Sequence, residues 1–187
     1  MKKILIMFSG GVESTALLQH ATDLEHDVSL VHVIHNNKSA KELSACKGIV
    51  STFPHAKLHS VELIKHSFDN LYGNPYRDVA TWLGVAIAMV GRADFDEVWY
   101  GTHDLDSTGK IADMDIAWYS MMDILELDTR LESPLTTKSK LDQYQMLSSK
   151  VKQRIVSCAV IPKGVWNEPC GECNKCMEFK HYVTDRL

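Results

Sequence analysis

The amino-acid sequence predicts an α/β protein, a parallel sheet with helices on both faces and a C-terminal metal-binding subdomain. Three observations predict it. Short β-rich runs alternate with segments of helical periodicity. The first β-rich run breaks at two adjacent glycines in "LIMFSGGVESTALL", Leu5 to Leu18, before a helical pattern resumes. Four of the five cysteines fall between Cys158 and Cys176. Strands alternating with helices form βαβ units, and these require a parallel sheet covered on both sides. Residues 1–155 read as the sheet domain and residues 156–187 as the cysteine-bearing subdomain.

The elements follow in order. Ile4 to Phe8 is continuously apolar, as a buried strand is, and Val12 to Leu24 resumes as a helix. Val28 to Ile34 is a second β-rich run. Ala40 to Phe53 is helical and stops before Pro54, whose ring disfavours helix at the preceding residue. Lys57 to Leu63 is a weaker strand. Arg77 to Val90 carries apolar residues at helical spacing, and "EVWYG", Glu97 to Gly101, is a short strand. Met114 to Leu127 and Leu141 to Val151 read as further helices. Ligands of such sheets bind beyond the carboxyl ends of the strands. Phe8–Ser14, His32–Lys38 and Gly101–Asp106 are therefore expected to share one cleft.

Composition narrows the class. The chain has 187 residues, 45% of them apolar and 24% charged, as an ordinary globular protein does. No apolar run is long enough for a bilayer, and the stretch after Lys2 and Lys3 ends at Ser9, too early for a signal peptide. A cytoplasmic protein without a membrane partner is expected. The net charge of −4 gives no global basic field for nucleic acid. Lys138, Lys140, Lys150, Lys152 and Arg154 could form a local patch, although a solvated helix face is the simpler reading.

The glycine pair admits three explanations: a tight turn with a capping serine, a phosphate cradle, or a nucleophile elbow. The elbow needs a serine between glycines in G-x-S-x-G, which this chain lacks. A Walker A loop needs Lys-Ser/Thr after its last glycine, where Val12-Glu13 stands. Paired glycines allow positive φ and close approach of a ligand, and the first-turn N–H groups of the next helix attract an anion. Ser9 and Ser14 could add hydroxyl donors. Turn and cradle remain open on these grounds. "SGGVES" after a first strand resembles the SGGxDS motif of the PP-loop (adenine nucleotide α-hydrolase-like) ATP pyrophosphatases, a Rossmann-like fold. The resemblance implies that Phe8, Ser9, Gly10, Gly11, Val12, Glu13, Ser14, Thr15, Ala16, Leu17 and Leu18 wrap the phosphates of ATP. Glu13 replaces the aspartate of the motif, and the resemblance implies a part for it in arranging Mg²⁺.

Cysteines clustered in such a chain point to metal rather than disulfides. Cys170, Cys173 and Cys176 form C-x-x-C-x-x-C, with Gly171 permitting a knuckle, and Cys158 can close a tetrahedron. Structural Zn²⁺ prefers that set, and an iron–sulfur cluster is the rival. Cys46, alone in a helical pattern, reads as a small buried apolar residue.

Together the two motifs resemble the 7-cyano-7-deazaguanine synthase (QueC) family. "HNNKSAKELSACKGI", "YRDVATWLGVAIA", "WYGTHDLD" and "SPLTTKSKLD" are similar to family segments in the same order. The resemblance implies a ligase that uses ATP and ammonia to convert 7-carboxy-7-deazaguanine to the nitrile. It places Lys140 and Arg77 opposite phosphate or carboxylate charge. It makes Asp104 and Asp106 candidates for Mg²⁺ or substrate, against the plainer reading of a solvated loop. A homodimer and a small-molecule substrate, with no nucleic acid, are the expected partners. "HNN", Asp78 and "DSTGKIADMD" depart from the family pattern around the substrate, which leaves an amide product or another deazapurine open. The alternatives are a tRNA-thiolating PP-loop enzyme and a degenerate nucleotide-binding module. His32, His35 and His103 fall near the expected cleft, and as single residues read as structural. Trp82, Met89, Trp99, Tyr100, Trp118, Met121 and Met122 read as core.

Overall fold

Continuous apolarity in the first strand has a structural cause: its alternate residues enter two different cores. In the computed structural model, which describes residues 1–34, 37–62, 75–104, 106, 108–155 and 170–187, strand β1 spans Lys3–Met7. Ile4, Ile6 and the following Phe8 pack among Ala16, Leu17, Leu30 and Ile49. Leu5 and Met7 point the other way, among Val31, Leu83, Val98 and Trp118. Side chains alternate along a strand, so an all-apolar strand must be covered on both faces. Each fully buried side chain of this size contributes roughly 1.5–3 kcal/mol.

After β1 come α1 (Val12–Asp23), β2 (Asp27–Ile34), α2 (Asn37–Val50), β3 (Lys57–Glu62), α3 (Pro75–Val90), β4 (Glu97–Trp99) and α4 (Thr108–Leu125). The chain continues through β5 (Arg130–Glu132), α5 (Lys140–Gln145), α6 (Ser149–Lys152) and α7 (Asn174–Tyr182), and a 3₁₀ turn covers Thr184–Arg186. The strands lie in the order β3-β2-β1-β4-β5, every pairing parallel, with Ile6 opposite Leu30 on one side and Trp99 on the other. The order reverses between β1 and β4. That reversal is where an open α/β sheet leaves a crevice at its carboxyl edge.

The predicted parallel sheet with helices on both faces is therefore observed, with several boundaries corrected. Strand β5 escaped detection because its three residues hold one apolar position, Leu131, and no periodicity. The single helix expected over Leu141–Val151 is two. The first ends at Gln145 with Met146 as its C-cap, and Ser148, extended (ψ 153°), caps the second by accepting from the Val151 N–H. Helix α2 starts at Asn37 and ends at Val50, three residues before the expected stop, with Phe53 in a turn donating to the Val50 carbonyl. Helix α4 begins at Thr108, ahead of the expected Met114, and β4 ends at Trp99. Trp99, Tyr100, Trp118 and Met122 are buried, and Trp82, Met89 and Met121 pack against the core, as expected. Among the described residues no helix is long and apolar enough to cross a membrane.

Candidate active site

The loop leaving β1 depends on its two glycines for different reasons. Gly10 has φ +75°, a conformation that L side chains rarely adopt, and a Cβ there would sit 3.0 Å from the Cys46 sulfur. Gly11 has φ −77° and ψ 176°, open to any residue, so only one glycine of the pair uses positive φ. Gly11 instead caps α1 without a side-chain hydrogen bond, which leaves bare backbone at the positive end of a twelve-residue helix.

The segment Phe8–Leu18 divides sharply. Phe8, Thr15, Ala16, Leu17 and Leu18 are buried in the body of the protein. Ser14 is also buried. Its hydroxyl accepts from the Ser9 N–H at 3.3 Å and lies 3.4 Å from the Gly11 carbonyl, to which it donates. Its hydroxyl is thus used inside the loop rather than offered to a ligand. Ser9, Gly11, Val12 and Glu13 line a cavity of about 210 Å³. Opposite them, Gly101, His103 and Asp106 follow β4, and Lys140 opens α5. The cavity thus lies at the predicted strand ends.

Gly101, expected in the cleft as the start of Gly101–Asp106, shows why glycine stands there. A Cβ on Gly101 would lie 2.8 Å from the Glu13 Cβ and 3.0 Å from both the Glu13 carbonyl carbon and the Ser14 nitrogen. The exit of β4 thus packs on the glycine loop at a distance that only glycine allows.

Lys140 is held by its helix. Ser139 and Asp142 form a capping box at the start of α5. Gln143, fully buried, donates from Nε2 to the carbonyls of Thr102 (2.7 Å), Leu135 (3.3 Å) and Lys138 (3.2 Å). These bonds tie α5 to the exit of β4. The Lys140 side chain is 12% exposed, with Nζ 2.8 Å from Glu13 Oε1 and 2.5 Å from Glu178 Oε1. Burial alone would push the Glu13 carboxyl up, but the charge and hydrogen bond of Lys140 outweigh it and hold the carboxyl below its ordinary range. Burial would likewise pull the lysine down, and Glu13 with Glu178 pushes it above its usual value. Both partners are ionised at neutral pH.

His103 stands 3.8 Å from Glu178 and 3.9 Å from Asp106 through Nε2, and its backbone N–H donates to the Asp106 carboxylate at 2.8 Å. Asp104 is on the exposed side of this turn and does not line the cavity. Arg77 falls within α3, and its side chain lies outside the described residues. His35 and Cys158 also lie outside them. His32 is fully buried, with Nδ1 2.9 Å from the Phe8 carbonyl oxygen and 3.5 Å from the Cys46 sulfur. It supports the loop from beneath. Cys46 is fully buried as read, its thiol pushed up to about 12 by burial and by Glu42.

Ahead of and within α7, the sulfurs of Cys170, Cys173 and Cys176 lie within 4.8 Å of one another. Gly171 has φ +77°, and the Cys173 N–H donates to the Cys170 sulfur at 3.4 Å, as in a metal-binding knuckle. The residues fit a thiophilic metal. Cys173 also caps α7, whose Lys175 and Glu178 line the cavity, while Phe179 meets Tyr144 of α5 edge-on at 5.5 Å. Glu178 was missed in the sequence. The available signal was that a helix beginning after Cys173 places residues 175 and 178 on one face.

No protein-family model matches the chain. It is 21% identical over 209 residues to 7-cyano-7-deazaguanine synthase of Buchnera aphidicola subsp. Schizaphis graminum, covering 95% of this chain and 88% of that one. Among solved structures, it resembles the U34-tRNA thiolase NcsA from Methanococcus maripaludis with its 4Fe–4S cluster. That likeness has a TM-score of 0.59 at 13% identity, covering 100% of this chain and 66% of the thiolase. A predicted subunit of tRNA methyltransferase from Methanocaldococcus jannaschii matches at TM-score 0.46 and 13% identity, over 73% of this chain and 68% of that one. The thiolase comparison speaks for the fold alone. The chain is thus similar, over nearly its whole length, to a 7-cyano-7-deazaguanine synthase, and it shares the parallel α/β fold of the thiolase.

Proposed function

We propose that the protein is an ATP-dependent carbon–nitrogen ligase that activates a 7-deazaguanine carboxylate by adenylylation and combines it with ammonia. One observation carries the reading. The bare glycine loop, the uncapped start of α1 and the Lys140 ammonium converge on one cavity at the sheet's topological reversal. A helix start offers partly positive N–H groups, and a buried lysine offers a full charge, so the site suits a polyanion.

A carboxylate is a poor electrophile. Attack of its oxygen on the α-phosphorus of ATP expels pyrophosphate and leaves an acyl adenylate. Ammonia then displaces AMP, giving an amide and releasing a proton. A second ATP adenylylates the amide oxygen, and loss of AMP with two protons leaves the nitrile. The chain's part is orientation and charge neutralisation. Phosphate entering the cavity competes with Glu13 and Glu178 for Lys140. Charge on the departing pyrophosphate grows as the α–β bond breaks, so Lys140 acts mainly on the transition state. Glu13, Glu42, Asp106 and Glu178 line the cavity as carboxylates that could hold Mg²⁺, whose chemistry would be phosphate charge neutralisation.

At the knuckle we propose structural Zn²⁺ on Cys170, Cys173 and Cys176 with Cys158 as the fourth ligand. The thiolase neighbour holds a cluster, so metal analysis is paired with an assay for acid-labile sulfide. Zinc without sulfide is the expected outcome. Sulfide with iron would replace zinc by a cluster.

The test of function supplies ATP, 7-carboxy-7-deazaguanine and ammonia. AMP and pyrophosphate should appear, and mass spectrometry of the product distinguishes nitrile from amide. Release of ADP and phosphate, or no carboxylate-dependent turnover with any deazaguanine, would defeat the proposal. A tRNA-thiolating activity through a cysteine persulfide has less support, because Cys46 is buried with a thiol that ionises only far above neutrality.

A further inference from the structure

We infer that Glu178 is a positioning residue through which the cysteine knuckle sets the Lys140 ammonium in the cavity. The path is short and made of contacts. Cys173 caps α7 and Cys176 lies in its first turn, so any metal held by these sulfurs fixes the start of that helix. Glu178 lies two residues beyond Cys176 on the same nine-residue helix. Its carboxylate reaches 2.5 Å from Lys140 Nζ, a separation of 38 residues in sequence. The same oxygen lies 3.8 Å from His103 Nε2. The edge-on contact of Phe179 with Tyr144 supplements this bond between α7 and α5.

The helix is too short to be stable alone. Nine residues fall below the length at which isolated helices persist in water. Its placement therefore depends on its ends and its docking face, and the knuckle governs its N-terminal end. Without metal, nothing bridges the three sulfurs, and the cap at Cys173 is no longer pinned. Glu178 then loses its fixed distance to Lys140, leaving Glu13 as the remaining carboxylate at 2.8 Å. Metal occupancy is thereby converted into lysine placement. The consequence for catalysis rests on the function proposed above, but the linkage itself is testable without nucleotide.

The test measures acetylation of Lys140 by acetic anhydride, read by peptide mass spectrometry on the full chain as purified, with its metal content determined. Lys2 serves as the internal standard, because it pairs with Glu97 at the opposite end of the sheet. Removing the metal with a chelator should speed Lys140 labelling at least about fivefold relative to Lys2, the lower range of couplings between distinct sites. Glu178→Gln should give that faster labelling at full metal content and no further increase on chelation. Glu178→Asp should recover part of the protection. Equal labelling of loaded and stripped wild-type protein would overturn the inference, as would a chelation effect that survives unchanged in Glu178→Gln. A purified protein holding no metal overturns it together with the proposed zinc. Absence of ATP turnover with the labelling pattern intact would remove the proposed function and leave the linkage standing.

Discussion

The two ends of the sheet hold charge in opposite arrangements. At the amino end, one carboxylate is saturated by donors: Glu97 accepts from Lys2 at 2.5 Å, from Trp99 Nε1 at 2.8 Å and from Arg130. Every donor comes from β1's approach, β4 itself or β5, so the bonds join neighbouring strands. At the carboxyl end, one cation is shared by carboxylates. Lys140 meets Glu13 from the glycine loop and Glu178 from a distant helix, beside a cavity. The first arrangement closes the sheet. The second leaves acids that an incoming anion can displace, with the cation already in place. A buried charge is costly unless paired, and pairing it with side chains that can turn away keeps it available.

The largest expected effect of breaking this contrast is at Lys140. Lys140→Ala should lower kcat by about 100-fold or more, the usual loss for one preorganised transition-state contact. ATP affinity should fall by less, since the ground state also uses the loop and the helix start. Steady-state kinetics with a parallel measurement of nucleotide binding checks the split. An equal loss in kcat and affinity would place the lysine in uniform binding instead.

Next comes Gly101. Gly101→Ala inserts a Cβ 2.8 Å from the Glu13 Cβ and against backbone on the same loop, and backbone cannot turn aside as a side chain does. Overpacking of this kind costs about 1–3 kcal/mol. Here it should fall mainly on nucleotide affinity, because the loop must move away from β4. Isothermal titration with ATP should show a loss of about tenfold or more with the fold retained by circular dichroism.

These two residues also mark how much could be read in advance. The glycine loop and the cysteine knuckle were legible because each is a local pattern of residue types. Lys140 was legible only through the family resemblance, since its own setting read as a solvated helix face, whereas its side chain is 12% exposed. The cleft was legible from topology, since β1 and β4 flank the reversal. Gly101 was placed in that cleft, but its need for glycine was not legible, because it arises from Glu13, nearly ninety positions away. Glu178 was not read, because the shared face of residues 175 and 178 gains its meaning only once the short tail helix is docked beside Lys140. Strand β5 has too few residues for any period, and the break between α5 and α6 depends on one serine capping in place of continuing. Local chemistry is written in the sequence, whereas its partners are assigned by the fold.

At the amino end the expected effects are smaller and belong to stability. Burial alone would push the Glu97 carboxyl up, yet the Lys2 and Trp99 hydrogen bonds and the charges of Lys2 and Arg130 outweigh it, holding the carboxyl below its usual 4.5. A carboxyl lowered on folding stabilises the native state above its unfolded value, and that contribution is lost as pH falls through the folded value. The wild-type Tm should therefore decline below about pH 4.5. Glu97→Gln removes the charge and should cost about 1–2 kcal/mol at neutral pH, with Lys2 and Arg130 exposed enough for water to recover them. It should also flatten the acid decline. Thermal melts across the acid range distinguish this from a variant that is destabilised equally at every pH. Activity per folded molecule should not change, since Glu97 lies at the end of the sheet away from the cavity.

The smallest effect is expected directly beneath the glycine loop. Cys46 touches the space that a Cβ on Gly10 would enter, and it lies 3.5 Å from His32. Its burial makes it a packing residue, and the high position of its thiol denies it a nucleophile's role at neutral pH. Cys46→Ala should cost about 1 kcal/mol through the lost volume and leave turnover within about twofold of wild type. Denaturant melts and the AMP-release assay measure the two separately. The variant also sharpens the reading of Gly10. Removing the sulfur opens room for a methyl group, yet Gly10→Ala in that background should still cost about 1–2 kcal/mol, because φ +75° is unfavourable to any L side chain regardless of space. A Cys46→Ala protein that folds normally but loses turnover would instead make this thiol part of the chemistry, and would bring a sulfur-transfer reaction back ahead of ligation.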